Sequence, residues 1–190
     1  MRFCLFRSML SDDLYRAVGK RGFFNGLKCY ITGQGFKYLF FLRICQFSKK
    51  NKLIKYTIYP FLRFYLSRLE FKLGISIPVS TIIGPGFYIG HFGAIIISSS
   101  AVIGKNCNVS QGVTIGRTSR GKRIGAPIIG DNVYLGPGSI VSGNIEIGDN
   151  VVIGAGCVVN FSIPEGSVVG SPRPVIITQN GSEGYVNNRV

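Results

Sequence analysis

The hydrophobic pattern of the chain changes period near Gly74. From Ile77 onward one aliphatic residue recurs every six positions: Ile77, Ile83, Ile89 and Ile95, then, after a two-residue shift of phase, Ile97, Ile103, Val109 and Ile115. After an irregular stretch the series resumes at Ile129 and continues through Leu135, Val141, Ile147, Ile153 and Val159. Glycine follows the aliphatic residue repeatedly, as at 83–84, 103–104, 135–136 and 153–154. A sustained six-residue period is the mark of a β-helix, in which each hexad makes one short strand and one turn. The aliphatic residue points inward, and glycine lets the backbone turn tightly. Three hexads close a triangular coil, so this stretch predicts roughly four to five coils. The small residues four positions after the aliphatic ones, Cys107, Ser139 and Cys157, are expected to fill the narrow interior.

Upstream the spacing is helical. Residues 36–72 carry apolar positions at helical intervals interrupted by Lys and Arg, with a polar break at 48–52 and a helix boundary expected at Pro60. "SDDLYRAV" (11–18) reads as a helix start. The chain therefore divides into a helical region (1–73), a β-helix (74–177) that extrudes a loop at 117–127, and a C-terminal tail (178–190). The fold class is mainly β, a parallel β-helix with an N-terminal helical region.

Charge sharpens the division. The net charge is +14, and residues 1–75 hold 15 Lys+Arg against 3 Asp+Glu, while the rest hold 7 against 5. The longest uncharged apolar run in the helical region, "YLFFL", is far short of the ~20 residues a membrane-spanning helix needs. Cations beside Phe, Tyr and Leu instead suit a helix lying on an anionic membrane surface, expected over residues 36–72. No nucleic-acid-binding motif accompanies the basic charge, and no nucleic-acid partner is expected. Five scattered cysteines and the lack of a signal peptide at the N-terminus point to a cytoplasmic protein, attached peripherally to the inner face of the cell membrane. The cysteines have no metal-ligand spacing, and no metal is expected.

Two features carry candidate chemistry. His91, the one histidine of the chain, stands between glycines in "IGHFGAIII" (89–97). The irregular stretch "RTSRGKRIGAP" (117–127) gathers Arg117, Arg120, Lys122 and Arg123, cations suited to phosphate contacts on a loop held by a rigid scaffold.

Together "IGHFGAIII", "NVSQGVTIG", "PIIGDNVYLGPGSIVSGNIEIGDNVVIGAGCVV" and "VVGSPRPVI" resemble the hexapeptide-repeat acyltransferases, within them the serine-acetyltransferase-like branch that includes sugar and polysaccharide O-acetyltransferases. The likeness is dense over about residues 74–177. It implies a left-handed β-helix, acetyl-CoA as co-substrate, and a homotrimer with active sites between subunits. His91 falls at the family's catalytic position, where a histidine can take the proton of an attacking hydroxyl. For acetyl-CoA, the resemblance implies Gly136, Gly154, Ala155 and Asn160 along the groove between subunits, Arg117 and Thr118 at the loop, and Arg173 near the end. The last departs from the family's pattern, since Arg173 in "GSPRPV" stands one place before the usual basic position.

Other departures concern the acceptor. The aspartate that orients the histidine in serine acetyltransferases corresponds to Ser76, a second one to Gly90, and an Arg-His pair of the loop to Gly125-Ala126. Ser76 and Gln111 are the candidates for orienting His91, with a main-chain carbonyl as a third. With these charges missing, the expected acceptor is a neutral sugar hydroxyl. The expected function is O-acetylation of a sugar or glycan in surface (capsular) polysaccharide synthesis. The alternatives are a serine O-acetyltransferase of cysteine biosynthesis and a non-catalytic trimeric scaffold.

Overall fold

The computed structural model describes residues 3–50, 52–172 and 175. Arg173 and the 178–190 tail lie outside the described residues. Among the described residues five helices come first: α1 (Phe3–Val18), α2 (Phe23–Thr32), α3 (Gln34–Ser48), α4 (Lys52–Thr57) and α5 (Tyr59–Leu73). Pro60 opens α5, where its missing N–H leaves no helical hydrogen bond unmade. α1 starts eight residues before the expected "SDDLYRAV", which places Asp13 inside the helix. Gly74 ends α5 in the left-handed conformation (φ 61°), donating its N–H to Glu70 O.

Fourteen short strands follow among the described residues: β1 (Ile75–Ser76), β2 (Ile82–Ile83), β3 (Tyr88–Ile89), β4 (Ile95–Ile97), β5 (Val102–Ile103), β6 (Asn108–Val109), β7 (Thr114–Gly116), β8 (Ile128–Ile129), β9 (Tyr134–Leu135), β10 (Ile140–Ser142), β11 (Glu146–Ile147), β12 (Val152–Ile153), β13 (Val158–Val159) and β14 (Val168–Val169). They stack in parallel into three faces. The first is β1, β4, β7, β10 and β13; the second β2, β5, β8 and β11; the third β3, β6, β9, β12 and β14. Every aliphatic residue of the hexad series is at most 5% exposed, as the period requires. The second inward series holds Cys107, Ser139 and Cys157, all buried.

The register explains both interruptions of the repeat. Ile129 pairs with Ile147 and Val141 with Val159, an offset of 18 residues. Ile83 pairs with Ile103 and Ile89 with Val109, an offset of 20. The two extra residues widen the corner between β3 and β4, which contains His91. Ile103 pairs with Ile129, an offset of 26, so the 117–127 stretch adds eight residues to its coil.

The helical unit is fastened to the first coil by a buried ion pair. Arg43 of α3 and Asp13 of α1 are both fully buried. Arg43 donates to Asp13 through Nε (2.9 Å) and Nη2 (3.3 Å), to Ile83 O (2.8 Å) and to Gly84 O (2.6 Å). Asp13 also accepts the Phe87 N–H at 3.0 Å. Burial raises the Asp13 carboxyl above its ordinary pKa, against the opposing pull of Arg43 and the backbone amides. At the start of α3, a side chain on Gly35 would overlap the carbonyl oxygen of Ile89, so glycine is what lets this helix touch β3.

Candidate active site

The corner between the third and first faces carries His91. Gly93 (φ 114°) and Ala94 (φ 51°) turn the backbone there, and His91 and Phe92 are pushed outward and exposed. The next coils stack on this corner: Gly112 N donates to Gly93 O (2.8 Å), and Gly138 N to Gln111 O (2.9 Å). Among the described residues no hydrogen bond holds the imidazole. Ser76 and Gln111 are both exposed, and neither bonds to His91. Ser76 lies on β1 opposite Ile96, one strand away, and Gln111 lies one coil further along the same corner.

On the helical side His91 borders a cavity of about 490 Å³. Its walls are the end of α1, the α2–α3 junction and the third-face corner, with Thr32, Gln34 and Tyr88 as polar side chains. Among the described residues no carboxylate lines it. The first turn of α3 forms one wall, and a helix's first amides have no partner within the helix. Cys29 also faces this cavity; burial raises its thiol, which keeps it protonated at neutral pH. Sequence reasoning missed this wall entirely. The only signal for it was "TGQG" at 32–35, two glycines where a helix begins against another backbone.

The residues implied for acetyl-CoA separate into two groups. Gly136, Gly154 and Ala155 occupy the His91 corner, two and three coils further along. A side chain on Gly136 would meet Ala155 N and Ile153 O at 2.8 Å, so coil stacking alone demands this glycine. Arg117, Thr118 and Asn160 sit at the other edge of the first face. There the 117–127 loop is pinched by paired hydrogen bonds between Thr118 and Gly125 (2.8 and 3.0 Å). It is also tied down, because Arg123 donates to Asn160 O and accepts from Asn144 N through its own carbonyl (3.0 Å). Arg117, Arg120 and Lys122 remain exposed on it. The first face, with Ser76 at its start, thus separates His91 from the loop cations. Cys107 and Cys157 take no part: both are interior, and burial pushes the Cys107 thiol up to about 11.

Residues 126–160 match the family model of the bacterial transferase hexapeptide (six repeats). Serine acetyltransferase isoform 3 of Entamoeba histolytica, in complex with cysteine, superposes with a TM-score of 0.72 at 31% identity, over 98% of this chain and 66% of that one. The chain belongs to the hexapeptide-repeat transferases. Among them, the serine acetyltransferase of Synechococcus elongatus is 34% identical over 155 residues, 80% of this chain and 61% of the relative. That of Synechocystis sp. is 43% identical over 134 residues, 69% of this chain and 52% of the relative. This hexapeptide-repeat transferase thus spans about three-fifths of the length of the first of these relatives. Its coils are those of the left-handed β-helix seen in serine acetyltransferase structures.

These relatives overturn the expected polysaccharide acetyltransferase, since they and the solved structure above are serine acetyltransferases. The expectation rested on missing formal charges at Ser76, Gly90 and Gly125-Ala126. Loss of side-chain charge does not exclude a zwitterion, because helix amides and neutral hydroxyl or amide groups also solvate carboxylate and ammonium.

Proposed function

We propose that this hexapeptide-repeat transferase is a serine O-acetyltransferase using acetyl-CoA. One observation carries the reading: likeness to a serine acetyltransferase extends over 98% of the chain, helical unit included, and that unit walls the cavity beside His91. Serine occupies this cavity, its carboxylate at the first-turn amides of α3 and its ammonium near the oxygens of Thr32, Gln34 and Tyr88. His91 accepts the hydroxyl proton as the serine oxygen attacks the thioester carbonyl. The tetrahedral oxyanion is met by backbone N–H groups of the glycine-rich corner. Collapse breaks the carbon–sulfur bond, and the departing thiolate takes the proton back from His91. Products are O-acetylserine and free coenzyme A.

The assembly we propose is a homotrimer with its sites between subunits. The separation of His91 from Arg117 and Thr118 across the first face supports it, because a neighbour docked there would bring one chain's histidine towards another's loop. In this arrangement Gly154 and Ala155 flank the pantetheine, while Arg117 and Arg173 meet phosphates. Ser76 or Gln111 orients the imidazole once the neighbouring subunit closes the corner. We place the enzyme in the cytoplasm, in keeping with its five unpaired thiols, and at the inner face of the membrane.

The test is thiol release from acetyl-CoA with L-serine, L-threonine and D-serine in parallel. Saturable release with L-serine, lost in His91→Ala, is expected. Absence of L-serine-dependent release by the folded full chain would refute the proposal.

A further inference from the structure

The helical unit carries a surface that neither the β-helix nor the His91 cavity uses. α2 and α5 meet across α3. The Phe41 ring packs against Tyr30 and Tyr65, with centroids 6.2 Å from Tyr30 and 4.4 Å from Tyr65. The inner sides of these two helices are buried through Cys29, Leu66, Leu69 and Leu73. Their outer sides are apolar as well. Phe23 and Phe24 of α2 and Phe61, Phe64 and Phe71 of α5 are 69–85% exposed. Exposed aromatic area on this scale marks an interaction surface.

Charge identifies the occupant. Lys28, Lys55, Arg68 and Lys72 are exposed on the same elements or beside them. The three carboxylates of residues 1–75 are each held by an arginine of the unit: Asp12 by Arg21, Asp13 by Arg43, Glu70 by Arg63. None is left to offset the remaining cations. Two such surfaces repel each other on approach, whereas an anionic bilayer attracts them. Between α1, α2 and α3 the unit also opens an apolar cavity of about 560 Å³, lined by Leu10, Leu14, Leu27, Phe36 and Phe40 with Arg7. Its lining suits part of an acyl chain.

We propose that the outer faces of α2 and α5 form a docking surface for anionic lipid. The five phenylalanines enter the interfacial layer and the cations lie at lipid phosphates. No helix among the described residues is long and apolar enough to cross a membrane, so the attachment is peripheral. This redraws the contact expected over 36–72. No residue of 36–48 is exposed, because α3 is enclosed by α1, α2, α5 and the first coil.

The experiment is flotation of the full chain with vesicles of phosphatidylcholine alone or with 30–40% (about a third) phosphatidylglycerol. The chain is expected to float with the anionic vesicles only, and less as salt rises from ~0.1 to ~0.5 M. Phe61→Ser/Phe64→Ser/Phe71→Ser and, separately, Arg68→Glu/Lys72→Glu should each lower the bound fraction at least ~10-fold. Far-UV circular dichroism, solution mass and acetyl transfer should stay unchanged. A chain that stays at the bottom with anionic vesicles overturns the proposal. So does equal flotation of the serine variant, or a fall in its solution mass, which would assign the face to a second copy.

Discussion

Replacing Arg43 with methionine tests whether the buried ion pair fastens the helices to the β-helix. The substitution keeps most of the side-chain length but removes the donors to Asp13, Ile83 O and Gly84 O. Asp13, fully buried, keeps the Phe87 amide as a partner. Breaking a buried pair from one side costs about 3–5 kcal/mol, because the remaining charge has no compensation. Two carbonyls losing their donors add to this, though part of that loss is recovered as water enters. A deficit of about 4 kcal/mol is a large share of the 5–15 kcal/mol (order of magnitude) that holds a domain folded. Its pH dependence has a definite sign. Asp13 already titrates above its ordinary value, and removing Arg43 raises it further. A carboxyl with a raised folded pKa favours the native state below its unfolded pKa and loses that contribution as pH rises through the folded value. The variant's deficit therefore grows as pH rises above the ordinary carboxylate range. Urea unfolding followed by circular dichroism measures it, with Arg43→Met/Asp13→Asn as the partner variant. The double variant should recover part of the loss, since the charge is gone and an acceptor for Phe87 remains. A deficit below ~1 kcal/mol, or no recovery in the double variant, would show that the pair is not what fastens the units.

Four further outcomes follow from particular residues. His91→Ala should lower acetyl transfer at least ~100-fold with an unchanged melting temperature; a near-normal rate would remove the histidine from the mechanism. Gly35→Ala should destabilise the fold and raise KM for the acceptor, because its methyl group collides with Ile89 O beside the cavity; wild-type melting and KM would contradict that packing. Ser139→Ala should leave stability equal or raise it by up to ~1 kcal/mol, since the buried Ser139 Oγ has no partner among the described residues. A thiol reagent at neutral pH should label one cysteine rapidly in the native chain, the exposed Cys4, and reach Cys29, Cys45, Cys107 and Cys157 only on unfolding. Rapid modification of Cys107 would contradict the burial that pushes its thiol up to about 11.

Sequence alone determined the β-helix because its rule is local. With six residues per strand and turn, an aliphatic residue at Ile103 or Leu135 faces inward whatever the rest of the chain does. The two breaks in the period were legible for the same reason: the shift between Ile95 and Ile97 is the widened corner that pushes out His91, and the gap from Ile115 to Ile129 is the loop. What the tertiary structure decided involves residues far apart in the chain. The Asp13–Arg43 pair unites α1, α3 and the first coil, and no spacing announces it. α3 has the cations and aromatics of a membrane-facing helix, yet neighbours on every side bury it and leave the exposed phenylalanines to α2 and α5. Thr32 and Gln34 reach the His91 cavity only because Gly35 allows α3 to rest on Ile89. The proposed acceptor is not legible in the sequence for a related reason. Missing charges can be counted along a chain, whereas a helix terminus or neutral group that takes over their work is placed only by the fold, since solvation of a charge depends on what surrounds it in space.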